Sequence, residues 1–133
     1  MYGPGNSTSP WLGGIDLALQ PGDSPGAKIA HAAKAIKADV LSSIAVSTSS
    51  QAEDPTGQGY VPFTTKEMIS TAHNLGLLVT PWTVNHLNVV EQLIEWGVDG
   101  IITDYPEQVR RFAELKGKKV APKVSVERVR KCL

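Results

Sequence analysis

The sequence predicts an α/β fold of four parallel βα units, and three observations carry that reading. Short apolar runs alternate with helical stripes along the chain. Two of those runs, Leu77 to Thr83 and Gly100 to Thr103, gather polar residues at their C-terminal ends, and each leads at once into a helix start. This is the layout of parallel-sheet proteins, in which chemistry collects at the carboxyl ends of strands. Four such units make either a small doubly wound sheet or half of an eight-fold barrel. Periodicity does not choose between them.

Trp11 to Asp16 is the first expected strand, eroded by Gly13 and Gly14. Ser24 suits a helix N-cap and Pro25 the first helical position, where its missing N–H costs nothing. Ile29, Ala32, Ala33 and Ile36 then form one apolar stripe, rich enough in alanine to approach a sheet closely. Asp39 to Val46 is the second strand. Residues 47–62, irregular and rich in Ser, Thr, Gly and Pro, exceed the usual connection length and read as a functional or mobile loop on the rim where chemistry sits.

The next helix start is written as a capping box of Thr64 and Glu67, with Phe63 and Met68 as a hydrophobic staple. Met68, Ile69, Ala72 and Leu75 form its buried stripe, and Gly76 ends it in a left-handed turn. After the Leu77 to Thr83 strand, Asn85 is expected to cap a helix whose Leu87, Val90, Leu93 and Ile94 face inward until Gly97. The fourth strand, Gly100 to Thr103, is followed by a helix opened by Pro106, with Val109, Phe112 and Ala113 inward, closing near Gly117.

Composition excludes several classes. The 133 residues are 41% hydrophobic and 20% charged with zero net charge, so neither disorder nor a nucleic-acid partner is expected. Charge is uneven: Lys116 to Leu133 holds seven Lys or Arg against one Glu, a net of +6 that leaves −6 elsewhere. A solvated basic tail over 116–133 is the expectation. No run approaches the roughly 18 apolar residues of a membrane span, and no signal peptide is legible at the start. Asn6-Ser7-Thr8 fits an N-glycosylation acceptor, a pattern short enough to arise by chance. Cys132 stands alone and forms no internal disulfide.

Pro81-Trp82-Thr83-Val84-Asn85, followed by Gly97-Val98-Asp99-Gly100-Ile101-Ile102-Thr103-Asp104-Tyr105-Pro106, resembles the C-terminal half of glycerophosphodiester phosphodiesterases. Phe63-Thr64-Thr65 and Ala72-His73-Asn74-Leu75-Gly76 resemble that family too, so the likeness covers about residues 9–115. The Trp11 region and the basic tail look most like fungal members. The resemblance implies a partial (βα)8 TIM barrel of about four C-terminal units, residues 1–115, followed by the tail. It implies cleavage of glycerophosphodiesters, in lipid metabolism, to an alcohol and glycerol 3-phosphate. In the intact family a divalent cation, Mg²⁺ or Ca²⁺, screens the phosphoryl group, and two histidines serve as acid and base. The family's His-Arg-Gly and Pro-Glu-Asn-Thr motifs have no counterpart in this sequence, whose first Glu is Glu53. No catalytic residue, metal ligand or cofactor is therefore expected on this chain. Substrate is expected to bind only when the N-terminal half is present, and the chain alone is expected to be inactive.

Trp82, Asn85 and His86 are the expected substrate-binding residues. Strand alternation puts Leu78, Thr80 and Trp82 on one face, and the matching family Trp lines the pocket beside the glycerol. Asn85 also reads as a helix cap, and His86 begins the helix at the same rim. Asp104 reads as a helix cap or a brace between loops, and Asp99 as structural. His31 and His73 read as ordinary helix residues. Ser42 and Ser43 end a strand but lack the His–Asp pair a nucleophile needs. The alternatives are a non-enzymatic half-barrel that binds or assembles, self-associating through exposed sheet edges, and a small doubly wound domain with an unrelated ligand.

Overall fold

The structure, a computed structural model, describes Thr8 and residues 12–121. Trp11, Asn6 and residues 122–133, on which the fungal likeness, the glycosylation pattern and most of the basic tail depend, lie outside the described residues. Four helices flank a short parallel sheet: α1 (Pro25–Ala35), β1 (Val40–Leu41), α2 (Lys66–Asn74), β2 (Leu78–Val79), α3 (Leu87–Trp96) and α4 (Pro106–Leu115). β1 and β2 pair in parallel, Val40 opposite Leu78 and Leu41 opposite Val79. The pairing continues past both strands, since Trp82 N–H donates to the Ser43 carbonyl and Ala45 N–H to the Trp82 carbonyl.

Two expected strands differ. Leu12 to Asp16 is not extended: Gly13 and Gly14 take φ of 63° and 75°, which turns the chain, and a 3₁₀ helix follows at Leu17–Leu19. Gly100 to Thr103 does run beside β2, with Asp99 N–H donating to the Val79 carbonyl and Ile102 N–H to that of Pro81. It forms no regular ladder. The Ile102 carbonyl accepts from Val84, so an extra residue intervenes on the β2 side, as in a bulge.

The helices are built largely as their sequence signals dictate. Ser24 Oγ accepts from Ala27 N–H at the start of α1, and Gly97, at φ 88°, ends α3. α2 starts one residue late. Thr65 rather than Thr64 caps it, accepting from Met68 N–H, because the Thr64 hydroxyl is spent on the strand end. It donates to the Ile44 carbonyl at 2.7 Å, which leaves Ser43 Oγ, 2.8 Å away, as donor to Thr64. Asn85 caps nothing: His86 is the N-cap of α3 and makes no side-chain cap bond. Asp104 likewise does not cap α4, whose N-cap is Tyr105. Leu87, expected inward, is exposed, as is Ile36.

Two apolar clusters form the core. One joins Ile29, Ala30 and Ala33 of α1 to Met68, Ile69 and Ala72 of α2 and to Leu41 and Val79 of the strands. The other joins Val89, Val90 and Leu93 of α3 to Ala45, Val84 and Val109. Both lie on the helix side of the sheet. On its other face Val40 is 42% exposed, Leu78 51%, Trp82 44% and Ile102 50%. The apolar alternation is therefore two-sided, and only one side is covered.

Candidate functional site

The C-terminal ends of the strands converge on a recess of about 400 Å³ whose walls include Val46, Glu53, Thr83, Asn85, His86 and Tyr105. Parallel strands place it, because every residue just past a strand end lands on the same rim. Trp82 lies next to Thr83 on the open face of the sheet. Its Nε1–H donates to the Ser42 carbonyl at 3.3 Å, which fixes the ring across the two strands. The peptide joining Trp82 to Thr83 is cis.

Asn85 ties two strand ends together. Its Nδ2–H donates to Asp104 Oδ2 at 2.8 Å, while its Oδ1 accepts from Thr103 Oγ1 and from Asp104 N–H. An amide offers two donors and one carbonyl oxygen, and these bonds use the oxygen and one of the two N–H groups. Asp104 is thus the brace between loops that its position suggested. His86 Nε2 lies 2.8 Å from Glu53 Oε2, and both groups are solvent-facing.

Glu53 reaches the rim because residues 47–62 form a closed loop rather than a loose one. Ser47 N–H donates to the Val61 carbonyl at its neck, and Gln51 N–H to the Gly59 carbonyl inside it. Three side chains then fasten it along α3. Besides Glu53 to His86, Asn88 donates to Asp54 and Tyr60 donates to Gln92 at 2.9 Å. The hydroxyl and N–H of Thr56, then Asn88, hold the Asp54 carboxyl below the ordinary range, with a smaller pull from His86. Burial, then the charge of Asp54, pushes the Tyr60 phenol up.

The structure brings Asn85 and His86 together at the recess and leaves Trp82 on the adjoining face. Sequence reasoning missed Glu53, Tyr105 and Thr103. Tyr105 and Thr103 were within reach as neighbours of Asp104, but nothing in the spacing joins position 53 to 86. At the opposite rim, Asp99 Oδ2 accepts from Val79 N–H at 2.8 Å and lies 2.8 Å from His73 Nε2. Both are structural braces there. Ser43 is buried with Thr64, and Ser42 donates to the Thr80 carbonyl. Neither serine is placed beside a histidine by any of these bonds.

The rim carboxylates are each already paired. Glu53, Asp54 and Asp104 are each engaged by a side chain of another segment. Among the described residues, no three His, Cys, Asp or Glu side chains stand together as a ligand set. A divalent ion needs several oxygen ligands at once, and the described carboxylates, as paired here, do not converge on one point.

Comparison with known proteins agrees on one lineage. Residues 15–108 match the glycerophosphoryl diester phosphodiesterase family. A glycerophosphodiester phosphodiesterase of Bacillus altitudinis is 36% identical over 50 residues, 38% of this chain and 20% of that protein. YhdW of Bacillus subtilis (strain 168), provisionally assigned the same activity, is 45% identical over 40 residues, 30% of this chain and 16% of that protein. In fold, the chain resembles the crystal structure of a provisionally assigned glycerophosphoryl diester phosphodiesterase from Silicibacter pomeroyi DSS-3. The TM-score is 0.57 at 24% identity, over 81% of this chain and 30% of that one. The chain spans a fifth or less of the length of the curated relatives it matches. These relatives are bacterial, so the expected fungal likeness gains no support from them.

Proposed function

The chain belongs to the glycerophosphoryl diester phosphodiesterase family, and from that premise we propose that it supplies the substrate-lining C-terminal part of a phosphoric diester hydrolase site. The α/β arrangement is that of the family's TIM barrel, present in part. The observation that carries the reading is Trp82, an indole 44% exposed at the C-terminal end of a parallel strand and tied by its Nε1–H to the Ser42 carbonyl. A fixed aromatic face of this kind packs against the carbon skeleton of a glycerol moiety. Asn85 and His86, at the adjoining recess, offer hydrogen bonds to its hydroxyls.

Hydrolysis of a phosphodiester needs its negative charge screened and its leaving alkoxide protonated. The carboxylates here are already paired, and His86 is turned to Glu53. The cation ligands and the acid–base pair therefore come, in this proposal, from barrel segments other than this chain. Alone it binds weakly and hydrolyses nothing.

Two measurements test this. Incubated with glycerophosphocholine and Mg²⁺ or Ca²⁺, the purified chain is expected to release no choline above background. Turnover that EDTA abolishes would overturn the inactive-alone part of the reading. Titrated with glycerol 3-phosphate, the chain is expected to change its tryptophan fluorescence, and the Trp82→Phe variant is not. A response that survives in the variant would remove Trp82 from the site.

A further inference from the structure

We propose that residues 51–59 form a latched cover on the recess, in which Glu53 occupies His86 and a ligand gains that histidine only as the cover lifts. The inference rests on the proposed reading that ligand meets His86, and it adds an autoinhibitory contact to that site.

Three observations converge. The first is that the segment is closed by its own bonds. Gln51 N–H donates to the Gly59 carbonyl, and the N–H and hydroxyl of Thr56 donate to Asp54 Oδ1. Ser50 Oγ donates to the Ala52 carbonyl and accepts from Val61 N–H. The interior is close-packed, since a Cβ on Gly57 would come within 2.7 Å of Ala52 Cβ. A loop closed in this way moves as a body.

The second observation is the contrast between its base and its tip. At the base, Val46 and Tyr60 pack against the apolar cluster of α3, and Val46 pairs with Pro62. The tip meets α3 through Glu53 to His86 and Asp54 to Asn88. The Glu53 side chain is 80% exposed and that of His86 50%, so water replaces their contact at little cost. The apolar base therefore stays while the polar tip releases, as expected of the least stable local opening.

The third is where Glu53 lands. Its carboxylate lies 2.8 Å from His86 Nε2, and both side chains wall the recess. Among the described residues of that wall, His86 alone can carry a positive charge. A carboxylate oxygen accepts hydrogen bonds, as do the oxygens of a glycerol phosphate, so Glu53 holds the place of a ligand oxygen. Its charge also repels an anion entering the recess. Ligand and latch thus compete for one imidazole. The coupling is reciprocal: what weakens the latch strengthens binding, and ligand loosens the latch.

The test titrates the purified chain with glycerol 3-phosphate by tryptophan fluorescence, and follows amide exchange over 51–59 with and without it. Asn88→Ala is the decisive variant, because Asn88 bonds Asp54 and does not wall the recess. It is expected to tighten binding about threefold, and Glu53→Ala at least as much, with the fold of each checked by circular dichroism. Saturating ligand is expected to speed exchange across 51–59 severalfold. Unchanged affinity in Asn88→Ala overturns the cover. So does exchange that slows with ligand, which would make Glu53 a group that holds it. If Trp82→Phe removes the response while both latch variants leave affinity unchanged, this inference falls and the proposed function stands. A response that survives Trp82→Phe yet tightens in both latch variants keeps the cover and removes Trp82. No response in any form of the chain removes both.

Discussion

Thr64 shows how much a single side chain decides at this rim. It is fully buried, and its hydroxyl links the ends of two elements through Ser43 and Ile44. Thr64→Val keeps the shape but leaves the part-buried Ile44 carbonyl without this donor and turns the Ser43 hydroxyl over to its weaker acceptor, Met68 Sδ. Losing such a donor costs about 1–3 kcal/mol, so chemical denaturation is expected to show a loss of that order, with an unchanged m-value. Trp82→Ala removes a ring that is 44% exposed, so it is expected to cost about half of a full burial, roughly 1–2 kcal/mol, while any ligand response disappears. Asn85 was legible as a polar residue at a helix start, but its true partners, Thr103 and Asp104, lie 18 and 19 residues away. Capping is a local signal, and bridging two strand ends is not.

At the scale of elements, the tightest contact is between α1 and α2. A Cβ on Gly26 would come within 3.0 Å of Met68 Cβ and 3.1 Å of Thr65 Oγ1. Gly26→Ala gains up to about 1 kcal/mol of helix propensity, but Met68 Cβ is anchored to its backbone and cannot swing aside. Overpacking costs about 1–3 kcal/mol, so the net effect is expected to be destabilising, measured as a lower thermal midpoint. The loop 47–62 carries a pH prediction. Because the Asp54 carboxyl is held below its ordinary range, its anchoring is present above the unfolded carboxylate value and lost as pH falls through the lowered folded one. Amide exchange at Thr56 is expected to speed up on acidification across that window, with the helix amides unmoved. Exchange at Thr56 that ignores pH, after correction for the intrinsic rate, would refute the anchor. Composition made this segment a loop, but its closed, pinned form depends on Glu53, Asp54 and Tyr60 meeting α3.

For the molecule as a whole, the sheet's two faces set its behaviour. Burying a large apolar side chain stabilises by about 1.5–3 kcal/mol, and four on the open face are about half exposed. That shortfall is a large part of a total stability of about 5–15 kcal/mol. The purified chain is expected to bind a dye that reports apolar surface. Leu78→Gln with Ile102→Thr is expected to reduce that signal severalfold without lowering the thermal midpoint. Undiminished binding would place the exposed surface elsewhere.

By itself the sequence determined the helices and the parallel order, because caps, stop glycines and apolar stripes act within a few residues. Ser24, Pro25, Gly76, Gly97 and Pro106 all mark ends where they were read. The family, too, was legible in two motifs. Only the tertiary structure decided that Leu12 to Asp16 turns instead of extending, that Thr64 points inward and hands the cap to Thr65, and that Glu53 meets His86. It also decided which alternate residues are covered. An alternating strand reads the same on either face, and burial follows from which neighbours arrive to pack against it.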